Sequence, residues 1–77
     1  MKITGSKSYV KFDLENGYVM KAAGEMLVDR KFVVYRNTMK SWEAPHEKEE
    51  VLEEQIENII EEVKRNMNEN TIQLMFE

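Results

Sequence analysis

The sequence predicts an α+β fold: a small antiparallel sheet of four or five strands packed against one long amphipathic helix, in the order β-β-β-β-α-β. Apolar residues recur every three or four positions over residues 47–67, which is the spacing of one helix face. Apolar and polar residues alternate before and after that segment, as they do in half-buried strands. The 77 residues are enough for a single domain over residues 1–77.

The segment 8–14 alternates apolar and polar side chains and predicts the first strand of a hairpin. The Glu-Asn-Gly sequence that follows predicts its turn, because asparagine and glycine tolerate positive φ. A two-residue loop would place Phe12 opposite Lys21. A three-residue loop with Gly17 in the left-handed conformation pairs Phe12 with Met20 and keeps apolar side chains on one face. We therefore expect the three-residue loop.

Three further segments complete the predicted sheet. Gly24 predicts a bend or bulge, which separates a short third strand over residues 25–28 from the hairpin. Residues 32–36 are rich in β-forming side chains and apolar on both faces. Residues 71–76 alternate again after the helix and predict the last strand. One helix covers one sheet face, so the other face is free and shows Tyr9, Lys11, Val19, Lys21, Gln73 and Met75.

The irregular segment between residues 36 and 47 carries or adjoins two large aromatic residues, Tyr35 and Trp42. One interpretation is that they plug the open end of the core, because a small domain needs the apolar area that they bury. The other interpretation is that they are binding anchors, a role in which tyrosine and tryptophan are enriched.

The predicted helix carries an apolar stripe on one face and carboxylates on the other. The stripe is interpreted as core and consists of Leu52, Ile56, Ile59, Ile60, Val63 and Met67. The acidic row lies roughly opposite and consists of Glu50, Glu54, Glu57 and Glu61. Like charges four residues apart destabilise a helix, and only Glu61 with Arg65 forms a favourable pair at that spacing. The row is either a solvated face that favours solubility or a surface for a basic partner.

Charge is unevenly distributed along the chain. Residues 1–46 hold eight Lys or Arg and five Asp or Glu (+3), residues 47–65 hold three and eight (−5), and residues 66–77 add two acids (−2), which gives the net charge of −4. A field of one sign attracts partners of the opposite sign. The helix therefore disfavours nucleic acid on its side, while a nucleic-acid binder that uses the sheet face with Lys11 and Lys21 stays an open alternative.

Several classes of function are disfavoured by composition. The chain has no Cys and one His, so we expect no thiolate chemistry, metal site or cofactor. His46, beside Glu47 and near Glu43, is either a general base oriented by a carboxylate or an ordinary surface-loop histidine. No nucleophile–base set is visible, so we expect no enzymatic activity. Neither a signal peptide nor a long apolar run is visible, which predicts a cytoplasmic protein that does not cross a membrane.

With these residues in view, the chain resembles the small bacterial immunity proteins of the immunity protein 74 family over most of its length. The resemblance rests on the order of elements and on three local features: Gly24-Glu25, Val34-Tyr35-Arg36 and Ser41-Trp42-Glu43-Ala44-Pro45-His46-Glu47. Ala44 departs from the family, in which a second proline is usual there. The resemblance implies a protein that neutralises a toxin made by the same cell, and it supplies no toxin-contacting residue.

Two hypotheses about function follow. The first is a non-enzymatic immunity protein that binds a basic toxin through the acidic row and through Trp42, Glu43, His46 and Glu47. Toxins that attack nucleic acid are usually basic, and an acidic protein complements their charge. The second is a structural or regulatory protein that self-associates through its free sheet face or the edge strand 71–76. We expect a monomer or a weak homodimer.

Overall fold

The computed structural model describes residues 1–67 and 71–77, and within them it contains a curved, half-barrel sheet of five strands and one α-helix. A short 3₁₀ turn over Arg36–Thr38 separates the fourth strand from the helix. The α+β class and the order β-β-β-β-α-β are confirmed. The elements are β1 (Lys2–Gly5), β2 (Tyr9–Asp13), β3 (Val19–Met26), β4 (Lys31–Val34), α1 (Glu53–Asn66) and β5 (Gln73–Phe76).

The β2–β3 hairpin has the predicted register. Phe12 lies opposite Met20, and Val10 lies opposite Ala22. Gly17 has a φ of 95°, so the turn uses the left-handed conformation that its glycine permits. The three-residue loop is therefore confirmed, and it places the buried side chains of both strands on one face of the sheet.

The predicted break at Gly24 is wrong, because β3 runs through it for eight residues. The strand pairs with β2 as far as Ala23 and with β4 from Gly24 onward. A Cβ atom at Gly24 would collide with the carbonyl oxygen of Val33 and the ring of Phe32, so the glycine permits a close approach of β4. Residues 25–28 are therefore not a separate strand. The chain still has four strands before the helix, because β1, which was not predicted, takes the place of that strand in the count.

The sheet is mixed rather than wholly antiparallel, because β5 pairs in parallel with β4. The other three strand pairs are antiparallel. A helix between two strands returns the chain to the end of the sheet at which the first strand began, and the next strand then runs in the same direction. The presence of α1 between β4 and β5 therefore explains the parallel pair.

The helix begins at Glu53, six residues later than the predicted start at residue 47. The preceding residues form successive turns, in which the amide of His46 donates to the carbonyl of Glu43 and the amide of Glu49 donates to that of His46, each at 3.0 Å. The helix starts where the amide of Leu52 donates to Oε1 of Gln55 at 2.8 Å. Periodicity alone did not locate this boundary, because it depends on these local hydrogen bonds.

The core lies between the concave side of the sheet and one face of α1. The middle of the predicted stripe is buried, at Ile56, Ile59, Ile60 and Val63, whereas Leu52 is 51% exposed and Met67 is half-buried. The residues that follow β4 run beside the first half of β3, where the amide of Glu43 donates to the carbonyl of Val19 at 2.8 Å. Trp42 sits in this segment and closes one end of the core, with 2% of its surface exposed.

Candidate protein-interaction surface

Four of the predicted contact residues form an exposed acidic face, which we define as Glu47, Glu50, Glu54 and Glu61. Glu47 and Glu50 lie in the turns before α1, and Glu54 and Glu61 lie on the side of α1 that faces away from the sheet. None of the four forms an ion pair with any other described residue. Their charges are therefore directed to solvent and are available to a partner.

Glu57 is the remaining member of the predicted acidic row, and its charge is paired with a cation of the same protein. The guanidinium of Arg36 contacts the carboxylates of both Glu53 and Glu57. This cation follows β4, and it offsets the repulsion that the sequence indicates between neighbouring carboxylates on the helix. The predicted pair of Glu61 with Arg65 is not among the ion pairs of the described residues. Sequence patterns give no signal for the role of Arg36, because its partners lie 17 and 21 residues away along the chain.

Two other predicted contact residues have structural roles. Trp42 is 2% exposed, so the core-plug interpretation is correct for Trp42 and its side chain is not available to a partner, whereas Tyr35 is 38% exposed and does not plug the core. Glu43 lies 3.5 Å from Nζ of Lys11 on β2, which matches charge across the outer side of the sheet. On that same side Nζ of Lys21 lies 4.6 Å from the ring centre of Tyr9. Each of the two predicted cations of the free sheet face therefore has a partner within the protein.

His46 belongs to an aromatic cluster at the closed end of the core. Its ring stacks on Tyr18 at a centroid distance of 3.8 Å, and Tyr18 meets Trp42 edge to face at 5.1 Å. Nδ1 of His46 contacts one carboxylate oxygen of Glu49, and the hydroxyl of Tyr18 donates to the other at 2.7 Å. The carboxylate beside His46 is therefore Glu49 and not the predicted Glu43 or Glu47.

The hydrogen bond between Tyr18 and Glu49 shifts the pKa of both groups. It lowers the pKa of Glu49, with a further contribution from His46, and it raises the pKa of Tyr18. Each shift favours the protonation state in which the hydroxyl donates to an ionised carboxylate. The contacts of the cluster thus connect the turns before α1 to the β2–β3 hairpin. Tyr18 covers one face of the His46 ring.

The described residues offer few other kinds of site. They contain no group of three or more His, Asp or Glu arranged to hold a metal ion. Over the same residues, no helix has the length and hydropathy needed to cross a bilayer. The acidic face projects four carboxylates to solvent and is suited to electrostatic recognition of a cationic surface.

Comparison with known proteins identifies the family. No curated protein and no solved structure matches the chain. The family model described as Immunity protein 74 matches residues 2–77, which is essentially the whole sequence. The chain therefore belongs to the immunity protein 74 family.

Proposed function

We propose that this chain is a non-enzymatic immunity protein that binds and neutralises a toxin made by the same bacterial cell, and that it acts in the cytoplasm. The observation that carries the proposal is the family match over residues 2–77. Neutralisation by binding requires a surface that complements the toxin and needs no catalytic group.

The charge of the protein favours a basic toxin as the partner. Residues 47–65 carry eight acids and three bases, and the acidic face directs four carboxylates to solvent. An acidic surface accelerates the encounter with a cationic cleft, and a toxin that acts on nucleic acid needs such a cleft. We therefore infer that Glu47, Glu50, Glu54 and Glu61 contact the toxin, whereas Glu57 stabilises the helix through Arg36.

The test is protection of cells that express the toxin, followed by binding kinetics with the purified pair. Co-expression of the unmodified chain should restore growth. The double variant Glu54→Gln/Glu61→Gln should slow association by roughly tenfold at low salt and change dissociation little, because exposed charges act mainly on the association rate. A matched control, Asn37→Lys/Ser41→Lys, changes the net charge equally at exposed positions outside the acidic face.

The possible outcomes distinguish failure of the proposed function from failure of the proposed binding surface. If the unmodified chain fails to restore growth, the proposed function is wrong. If it restores growth but the Gln double variant and the Lys double variant associate equally fast, the toxin binds elsewhere. Self-association through the free sheet face or β5 remains a separate prediction, which sedimentation at micromolar concentration tests.

A further inference from the structure

One side of the core, bounded by β1, Met26, the last turn of α1 and Ile72, is open and apolar, and we call it the open end. Among the described residues seven large apolar side chains are exposed, and three of them, Ile3, Met26 and Ile72, line this opening. Leu27 and Val28 follow Met26 in the turn between β3 and β4, whereas Tyr35 and Leu52 lie outside the lining. Exposed apolar side chains that occur singly are ordinary, but a cluster at one end of a small domain marks an interaction site.

Two of these side chains lie on the core side of the sheet without being covered. Ile3 is opposite Phe12 in the β1–β2 pair, and Met26 is opposite Phe32 in the β3–β4 pair. Residues directly opposite each other share a face, and both phenylalanines are buried. Ile3 and Met26 nevertheless remain 43% and 41% exposed. With Ile72 they line a cavity of about 630 Å³ that opens at this end.

The cavity continues the hydrophobic core and has the size of a binding site. Its inner wall includes Phe32, Val63 and Leu74, all of which are buried. Binding pockets typically measure about 300 to 1,000 Å³ and are lined mainly by apolar side chains. An occupant that inserts apolar side chains here would complete a core that α1 covers only in part.

The β1 strand supplies an unpaired backbone edge beside the cavity. It is the first strand of the sheet, and among residues 1–67 and 71–77 it pairs with β2 alone. The amide of Ser6 donates to the carbonyl of Tyr9 at 3.0 Å, and hydrogen-bonded residues alternate along an antiparallel pair. Ile3 and Gly5 therefore point their amides and carbonyls away from β2. Such an edge binds an extended peptide as an additional strand.

The charge around the open end selects an acidic occupant. The segments that contribute its lining, residues 5–7, 26–32, 62–67 and 71–74, carry five cations and two acids, Asp29 and Glu62. None of the five has an ion pair with a described residue. Two copies of the chain that met edge to edge at β1 would bring like charges together, which is unfavourable. The cations are Lys7, Arg30, Lys31, Lys64 and Arg65.

We propose that the open end binds an extended segment of a partner protein that carries alternating apolar side chains and at least one carboxylate. The segment adds to the outer edge of β1 and places its apolar side chains in the cavity beside Ile3 and Met26. Its carboxylate meets the cations at the rim. This surface is separate from the acidic face, and the inference does not depend on the function proposed above.

The experiment uses a random ten-residue peptide library displayed on phage and selected on the full chain. Recovered peptides should alternate apolar residues and contain Asp or Glu. A synthetic copy of one peptide should bind the Ile3→Asp variant at least about tenfold more weakly, since the change puts a charge into the apolar site. Leu52→Asp is the matched control, because Leu52 is similarly exposed and lies outside the cavity lining.

A second measurement on the unmodified chain does not rely on a variant. Bound peptide should slow hydrogen exchange of the Ile3 and Gly5 amides, because strand addition gives each an acceptor. The inference is overturned if recovered peptides are basic, if Ile3→Asp and Leu52→Asp weaken binding equally, or if exchange at Ile3 and Gly5 is unchanged. It is also overturned if the chain binds the apolar anion anilinonaphthalenesulfonate there but selects no peptide, or if Ile3→Asp dissociates a dimer.

Discussion

At the scale of single residues, the hydrogen bond between Tyr18 and Glu49 links stability to pH. Folding lowers the pKa of Glu49. Ionised Glu49 therefore stabilises the folded protein above the ordinary glutamate pKa of about 4.3, and this stabilisation is lost as pH falls through the pKa of Glu49 in the folded protein. Folding raises the pKa of Tyr18. The protonated hydroxyl therefore stabilises the folded protein below the ordinary tyrosine pKa of about 10, and this stabilisation is lost as pH rises through the pKa of Tyr18 in the folded protein.

Removal of the Tyr18 hydroxyl should therefore reduce the loss of stability at both acidic and alkaline pH. The Tyr18→Phe variant keeps the ring that stacks on His46 and loses only the donor to Glu49. Thermal unfolding between about pH 3 and about pH 11 should show a lower midpoint for the variant near neutral pH and a smaller difference from the unmodified protein at both extremes. Parallel curves for the two proteins across this range would contradict the prediction.

Trp42 provides a second test at this scale, of core packing. Truncation of a buried tryptophan costs about 3 to 5 kcal/mol, and small domains are stable by only about 5 to 15 kcal/mol. Trp42→Ala should therefore remove a large part of the free energy of unfolding measured in urea. The control Leu52→Ala changes a side chain that is 51% exposed and should cost about 0.5 kcal/mol or less. Equal losses would show that Trp42 is not a core residue.

At the scale of elements, Gly24 determines how β3 passes from one neighbouring strand to the next. A methyl group there would meet the carbonyl of Val33, which belongs to the backbone of β4 and cannot rotate away. Gly24→Ala should therefore destabilise the protein by about 1 to 3 kcal/mol, the usual cost of overpacking. Ala23→Gly, at the exposed neighbouring position, is the comparison in denaturant unfolding. If Gly24→Ala is as stable as the unmodified protein, the close approach of β4 is not required.

Patterns within single elements predicted much of this fold, whereas contacts between elements were not predictable. The β2–β3 register followed from alternation and the turn residues, and the middle of α1 followed from its apolar stripe. The strand β1 was missed because all four of its residues are exposed and carry no alternating signal. Three contacts were also missed: the parallel pairing of β5 with β4, the contact of Arg36 with Glu57 and the contact of His46 with Glu49. The residues in each contact come together only when the chain folds.

The same distinction applies to the candidate site. Its acidic residues were identified from composition and helical spacing, but the sequence could not show which of them are neutralised inside the protein. Arg36 binds Glu57, whereas Glu54 and Glu61 remain exposed and without an ion pair among the described residues. The open end was not predicted either, because Ile3, Met26 and Ile72 are far apart in sequence and meet only when the sheet curves.

At the scale of the whole molecule, Glu54 of the acidic face lies far from the cationic open end on a protein 36 Å long. Glu54 is in the first turn of α1, and Val63, nine residues later, lines the cavity at the open end. Nine residues of helix span about 13 Å. This separation exceeds the Debye length of about 8 Å at physiological salt, so the charge of Glu54 is largely screened from the open end, whereas Glu61, two residues before Val63, is not.

Glu54 and the open end should therefore act independently at physiological salt. The changes in binding free energy caused by Ile3→Asp and by Glu54→Gln should add within about 0.5 kcal/mol when the variants are combined, since neither site shares a partner with the other. The measurement is peptide binding at the open end for the single and double variants, repeated at low salt. A longer screening length at low salt should make Glu54→Gln strengthen binding of an acidic peptide, because one repulsive carboxylate has been removed. Strong coupling at physiological salt would instead mean that one partner spans both surfaces.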